Sequence, residues 1–454
     1  MVAVVADSWQ QHINKMWWIN VGLVLVFGSL AQCQMLDRNC FGDEGEQGQL
    51  SDTFLASPVD KEAQNVMYVG ERAFSVNLIK ALFEKYENES IEENIFISPS
   101  SIYHTLMLAY FGALDTTKDE LQETLGFQNL TKSEVLKTYM IDRAYQAVRE
   151  RTPGLGYTFK HANKLYFEQD LKLNECLHLA LDGQIEQVDF KNSAEEARLA
   201  MNQWVEDNTQ GHIKDLVPAG YVDYSTKASL VNAAYFKGQW MSQFKPKDTK
   251  FGNFYIKRDK IRMVKFMVQK GSFNYYVSEE LKAHVLEMPY EGDHVSMVVI
   301  LPPWQDDALQ ETVKRMTPET IQGVISELTT GFYKVDKLDV MLPKFSIAGN
   351  LELVEPLSNL GINSLFGGSS NLTGFLDQFS QDEVTLNSAK HKSFIEVNEE
   401  GSEAAAATAL LGFRSARPLF HSEFKADHPF LFFIYDKQVD TILFFGVYQH
   451  PPSP

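Results

Sequence analysis

Apolar residues recur at helical spacing between residues 72 and 90, where Phe74, Val76, Leu78, Ile79, Leu82 and Phe83 trace one stripe. A second helix is predicted from Ser101 onward, carrying Leu106, Met107 and Leu108. Farther along the period shortens. Lys164-Leu165-Tyr166-Phe167, Val231–Phe236, Val285–Pro289, Val295–Leu301 and Val340–Leu342 read as strands, and Phe394-Ile395-Glu396-Val397-Asn398 alternates in the same way. Helices dominate the first half and strands the second, a pattern that predicts an α+β domain with helices packed around antiparallel sheets. No internal repeat interrupts it.

One segment breaks the pattern. After the strand-like Phe394–Asn398 comes Glu399-Glu400-Gly401-Ser402-Glu403-Ala404-Ala405-Ala406-Ala407-Thr408, and the chain returns to apolar strand residues at Phe424–Ile434. A continuing strand would carry large branched or aromatic side chains. A loop would carry Gly, Pro and Asn. The alanine run alone favours a helix, since Ala is the best helix former. Its flanks, both strand-like, argue instead for a tract small enough to slide between two existing strands. It ends near a single exposed-looking arginine, Arg414.

Composition narrows the function. The chain has 454 residues and a net charge of −19, from 41 basic and 60 acidic side chains. That balance argues against general nucleic-acid binding, which needs a basic face. Length alone would suggest about three domains. Trp17–Ala31 is an apolar run after Lys15, too short to span a bilayer comfortably and ending in small residues, so residues 1–31 read as a secretory signal peptide. Residues 32–70 form an acidic, aromatic-poor extension whose composition predicts disorder. Asn88, Asn129 and Asn371 each begin a glycosylation sequon. Cys33, Cys40 and Cys176 have neither a disulfide-framework spacing nor a metal-site spacing; a Cys40–Cys176 bridge is possible but has no support in the sequence. Gly-x-Ser-x-Gly, a phosphate loop, zinc-ligand spacing and paired catalytic carboxylates are all missing from the sequence. The expectation is therefore a non-enzyme without cofactor or metal.

Six motifs in order point to a known family. Asn94–Ser101, Leu230–Trp240, Leu286–Asp293 with Ser296–Pro302, Leu342–Phe345, the Glu399–Thr408 tract and Phe424–Ile434 together resemble the serpins, over most of the chain from about Ala73 to Pro451. The resemblance implies one domain over residues 71–454, with three β-sheets, about eight or nine helices and an exposed reactive-centre loop at about 399–423. It implies that Glu399, Gly401, Ser402, Glu403, Ala404, Ala405, Ala406, Ala407 and Thr408 are the hinge of that loop. After cleavage the hinge inserts into the largest sheet as a new strand, with Ser402, Ala404, Ala406 and Thr408 facing inward. Ser98, Ser101, Asn232 and His391 match the polar shutter cluster of the family. Trp240 matches the tryptophan at the breach, and Lys344 with Glu399 matches a salt bridge at the top of the sheet.

The resemblance further implies suicide inhibition of a serine protease. Arg414-Ser415 is the expected reactive bond, because Arg offers a guanidinium fork to an acidic specificity pocket. Arg417 competes but precedes Pro418, which has no N–H and a locked φ. The tract from Glu399 to Arg414 is one residue shorter than the common family spacing, which Ser415 meets, so Ser415-Ala416 stays a rival. The expected partner is a trypsin-like extracellular protease, met by a monomer with no nucleic-acid or membrane partner after processing. The style of the chain resembles secreted serpins of arthropod haemolymph, which restrain innate-immunity cascades such as melanisation and the Toll pathway. The alternative within the family is a non-inhibitory carrier, storage protein or chaperone. Lys132, Lys137, Arg143, Arg149 and Arg151 lie where some serpins bind glycosaminoglycan, but Glu134, Asp142 and Glu150 dilute them, and a solvated helix face is the expectation.

Overall fold

A computed structural model describes residues 40–41, 61–150, 152, 154, 156–401 and 422–452. The proposed signal peptide, most of the acidic extension, hinge residues 402–408 and the Arg414-Ser415 bond lie outside the described residues. Among those described, nine α-helices surround two hydrogen-bonded strand networks. None of these helices is long and apolar enough to cross a membrane.

The smaller network is a five-stranded sheet ordered β10-β11-β4-β2-β3. Its strands are β2 (Tyr157–Glu168), β3 (Ile185–Val188), β4 (Ala228–Gly238), β10 (Phe345–Glu352) and β11 (Leu386–Val397). Period two sets its two faces. Ala162 and Tyr166 of β2, with Val231 and Ala233 of β4, pack on Phe190, Met201 and Val205 of helix α6 (Phe190–Asn208). Leu165, Phe167 and Leu230 turn the other way, into the main core beneath helix α2 (Pro99–Gly112).

The larger network has nine strands, and β6 (Lys260–Ser278) divides it. The first part of β6 pairs with β5 (Lys250–Lys257), its middle with β9 (Lys334–Pro343) and its end with β7 (Ala283–Pro289). One strand thus belongs to two sheets, and with the five-stranded sheet the fold has the expected three. Next to β7 come β8 (Val295–Leu301), β13 (Phe430–Asp436), β14 (Thr441–Tyr448) and β1 (Ile95–Ile97). Strands β8, β13 and β14 are buried along their whole length. Leu431 and Phe433 join the core under α2 and α1 (Lys61–Asn88), while Phe430, Phe432 and Ile434 join a second core shared with Phe236, Ile395 and Val397 of the five-stranded sheet. A strand covered on both faces needs an unbroken apolar run, which is why this region reads as apolar at nearly every position.

Two features differ from the sequence expectations. Helix α1 begins at Lys61, inside the segment expected to be disordered, because Ala63, Met67, Gly70 and Phe74 continue the buried stripe backwards in steps of three and four. Its only aromatic before Phe74 is Tyr68, so composition hid it. The Cys40–Cys176 disulfide forms, across a sequence separation of 136, and ties residues 40–41 to the start of helix α5 (Glu175–Ala180). Asn174 caps α5 and donates to the Cys40 carbonyl at 3.4 Å. A cross-link over so long a loop constrains the unfolded chain strongly. Replacing Cys40 with Ser is expected to lower unfolding stability by about 2–4 kcal/mol, read from urea denaturation, with no further effect of added reductant on the variant.

Candidate functional site

Strands β4 and β11 run parallel and are hydrogen-bonded side by side from Leu386↔Ala228, across one irregularity, to Ile395↔Phe236. The tract that follows β11 would have to part this pair to enter the sheet. His391 and Asn232 are direct partners in that register, and His391 Nδ1 is bonded to Asn232 Oδ1. Both residues are essentially fully buried.

Their surroundings fix the chemistry of the bond. Ser98 is the N-cap of α2, with its hydroxyl accepting from the Ser101 N–H and Pro99 opening the helix. The Ser98 backbone N–H donates to His391 Nε2 at 3.0 Å. Nε2 is therefore the unprotonated nitrogen, and Nδ1 carries the hydrogen given to Asn232. The amide nitrogen of Asn232 lies 2.7 Å from Thr105 Oγ1, 2.8 Å from both Ser101 Oγ and Asn163 Oδ1, and 3.1 Å from the Ser101 carbonyl. Ser101 Oγ donates to Asn163 Oδ1 at 2.9 Å, and Ser393 Oγ donates to the Phe96 carbonyl at 2.7 Å. All four expected shutter residues thus come together. Asn163 and Thr105 complete the network; Asn163 stands directly opposite Asn232 across the β2–β4 pair, a neighbour that only the register reveals.

Above Ile395 the two strands separate, and the beginning of the hinge fills the gap. The Trp240 N–H donates to the Glu400 carbonyl at 3.0 Å, the Phe244 N–H to the Glu399 carbonyl at 2.8 Å, and the Trp240 indole N–H to the Asn398 carbonyl at 2.9 Å. Trp240 is buried and stacks on Tyr290 with ring centroids 4.5 Å apart. Lys344 Nζ lies 2.7 Å from Glu399 Oε2, and Thr249 donates to Oε1 at 2.8 Å. Burial pushes the Glu399 carboxyl up, but these hydrogen bonds outweigh it and hold it below the ordinary range. Gly401 has φ +105°, and a Cβ there would meet the Gly238 carbonyl oxygen at 2.2 Å and the Trp240 nitrogen at 2.5 Å. Only glycine fits. Trp240, Lys344, Glu399 and Gly401 therefore converge where the sequence expected them; the rest of the hinge and the reactive bond fall outside the described residues.

The remaining candidates behave differently from one another. Asn88 and Asn129 are exposed, while Asn371 is half-buried and its amide nitrogen donates to Asp115 Oδ2 at 2.8 Å. Three cations of helix α4 (Lys132–Glu150) are engaged within the fold. Lys132 is buried and donates to the Phe111 and Ala113 carbonyls, Arg143 donates to the Asp182 carbonyl at 2.7 Å, and Arg149 pairs with Asp436 at 2.7 Å. The sequence could not show this, because each partner is distant along the chain.

Desolvation pushes the His391 pKa down to about 3, so the ring is neutral in the fold. The unfolded chain takes up the proton near pH 6.5, the folded chain only near 3. The contribution of this site is complete above pH 6.5 and erodes on acidification toward pH 3, by about 1.4 kcal/mol per pH unit. His391→Asn is expected to flatten the dependence of urea stability on pH between 7 and 4.5 by about that slope. Gly401→Ala is expected to lower the stability of the uncleaved form by about 1–3 kcal/mol, measured by the same denaturation.

Residues 70–451 match the family described as Serpin (serine protease inhibitor). Serine protease inhibitor 88Ea of Drosophila melanogaster is 34% identical over 403 residues, covering 85% of this chain and 91% of that protein. Human leukocyte elastase inhibitor is 36% identical over 390 residues, covering 83% and 97%. The solved structure of human thyroxine-binding globulin superposes with a TM-score of 0.72 at 25% identity, covering 86% of this chain and all of that one.

Proposed function

This chain belongs to the serpin family, and we propose that it is a secreted inhibitor that traps a trypsin-like serine protease as a covalent acyl-enzyme. The observation that carries the reading is the placing of Glu399–Gly401 at the top of the β4–β11 pair, directly before a run of small residues able to enter between those strands. The protease serine attacks the Arg414 carbonyl, the peptide nitrogen of Ser415 leaves with a proton, and the acyl bond remains. The freed hinge then enters the five-stranded sheet. Each inserted residue exchanges water for ladder hydrogen bonds on both sides, and its inward side chain is buried. Release of stored strain by loop insertion is a switch known in serpins generally. The tethered protease is carried away from the loop, and distortion of its catalytic groups stops deacylation.

The chemistry supports an oxidising compartment. A disulfide joining residues far apart in the chain persists in an oxidising environment, and the apolar leader and exposed sequons at Asn88 and Asn129 agree with export. Export favours an extracellular protease as the target, and the resemblance to arthropod haemolymph serpins favours one of an immune cascade such as melanisation. Glycosaminoglycan control is disfavoured, since Lys132, Arg143 and Arg149 of α4 are engaged within the fold. A carrier role is the second reading, favoured by the likeness to thyroxine-binding globulin.

Mixing the secreted protein with trypsin is expected to give a complex that survives a denaturing gel, together with a released peptide beginning at Ser415. Ala404→Arg places a charge where the inserting strand would bury it, and is expected to turn more than nine-tenths of encounters into simple cleavage. Cleavage of the unaltered chain without any complex, by trypsin-like and elastase-like proteases alike, favours the carrier.

A further inference from the structure

Residues 245–265 carry eight basic and two acidic side chains, whereas the other 433 residues carry 33 and 58. A cationic stretch of an acidic chain thus forms the β5–β6 hairpin and its approach. Some of this charge is answered within the fold: Arg258 pairs with Asp306 at 3.1 Å, Lys260 with Glu92 at 2.5 Å, and Arg262 donates to the Pro451 carbonyl at 2.6 Å. Lys247, Lys250 and Lys257 are exposed and join no ion pair among the described residues. The same hairpin exposes large apolar side chains. Phe251 stands across from Lys265, Asn253 from Met263 and Tyr255 from Ile261, and period two puts all six on one face. Phe251, Met263 and Ile261 are 65%, 62% and 50% exposed, while Val264 and Phe266 on the opposite face are buried. The Lys265 ammonium lies 5.7 Å from the Phe251 ring centroid, and Tyr255 packs on the half-exposed Trp304 with centroids 5.4 Å apart. Single exposed apolar residues are ordinary; three on one rigid face edged by cations mark a contact surface.

The position of this face names the partner. Thr249, which donates to Glu399 Oε1, is the residue before β5, and the Lys344 N–H donates to the Lys265 carbonyl at 2.8 Å. The start of the loop is therefore seated against the base of the hairpin. Its other end returns at Ser422, whose carbonyl accepts from the Asp339 N–H at 3.1 Å, and β12 (Glu423–Lys425) then pairs with β9. Phe266 pairs with Lys250 of β5 on one edge and with Pro343 of β9 on the other, so β12 lies three strand spacings from β5, about 15 Å across the sheet. A folded protease is tens of ångströms across, and one seated on the loop comes within reach of the hairpin.

We propose that the outer face of the β5–β6 hairpin is a second contact for the target protease, and that it selects a trypsin-like protease with an acidic surface beside its cleft. The inference rests on the inhibitory reading given above. The chain as a whole repels such a protease; the local cations reverse the field beside the loop and raise the association rate. Phe251, Met263 and Ile261 then lose water against the partner, which gives the contact an apolar centre and a charged rim. An anionic polysaccharide would answer the cations and leave those three side chains in water.

The test measures second-order association rates of the full chain with the anionic and cationic isoforms of trypsin, which share a cleft specificity and differ in net charge. With anionic trypsin the rate is expected to fall as salt is raised from about 0.05 M to about 0.5 M, opposite to the behaviour of two proteins that merely repel. Lys247→Glu, Lys250→Glu and Lys257→Glu together are expected to slow anionic trypsin about tenfold at the lower salt, without slowing cationic trypsin or changing the ratio of inhibitor to protease consumed. Phe251→Ser with Met263→Ser is expected to slow anionic trypsin about fivefold at the higher salt, where charge is screened. A rate with anionic trypsin that rises with salt, charge reversals that slow both isoforms alike or neither, or an apolar double variant that associates like the unaltered chain overturns the proposal. Co-sedimentation with phosphatidylserine vesicles alongside unchanged association rates assigns the face to a lipid surface and overturns it too. If neither isoform is trapped, the inhibitory reading falls and this proposal with it; trapping of both at rates the substitutions do not change removes the hairpin contact alone.

Discussion

The parallel pairing of β4 with β11 is the constraint on which the rest of the structure turns. Nothing covalent holds these strands together, yet the proposed insertion of the small-residue tract requires them to part. The side chains that bridge them are polar, and they are buried. Asn232 and His391 meet in register, while the cap of α2 supplies the donor that fixes the histidine tautomer. An apolar seam at this point would be stabilised by contact area and would yield by degrees. A polar seam is all-or-none: each donor has a partner while the strands are together, and several are orphaned as soon as they separate. Such a network can hold a pair closed without making the closed state the most stable one available.

The top of the same pair is built on a different principle. There the strands have already diverged, and backbone from Asn398 to Gly401 occupies the gap, accepting bonds from Trp240 and Phe244. The carboxylate of Glu399 is half of an ion pair with Lys344 and is also bonded to Thr249. An entering strand therefore starts from a seated first residue rather than from a free end, which removes much of the entropy cost of finding the register. The proposed trap needs both halves of this design, a latch that resists spontaneous opening and an entry point set in advance.

How much of this was legible in the sequence differs from element to element for physical reasons. The strands buried on both faces, β8, β13 and β14, announce themselves because every side chain must be apolar. Gly401, Trp240 and Glu399 were legible through family resemblance, and the geometry supplies the reason for each. Asn163 was not, because a single polar residue on β2 carries no periodic signal and gains its meaning only from standing across from Asn232. The first turns of α1 were hidden by an acidic, aromatic-poor composition, although Ala63 and Met67 already kept the helical spacing. The cations of α4 looked solvated because Asp436 and Asp182, which engage Arg149 and Arg143, lie far away in the chain. Long-range polar partners are what a single sequence conceals best.

The same accounting applies to the buried polar groups elsewhere in the molecule. Around His391 the donors and acceptors pair off, and the centre behaves as structure: it sets a tautomer and a strand register. Around Glu71 the pairing is looser: Thr441 donates to Oε2 at 3.3 Å, the His104 ring lies 4.0 Å from Oε1, and burial raises the carboxyl pKa. Burying a carboxylate costs free energy that only partners can offset, and the fold supplies those partners generously to Asp142, Asp436 and Glu399. Glu168 keeps one buried oxygen without a hydrogen bond while its other accepts from the Phe190 and Lys191 N–H groups at 2.8 and 3.0 Å, so the first turn of α6 answers a charge that no side chain does.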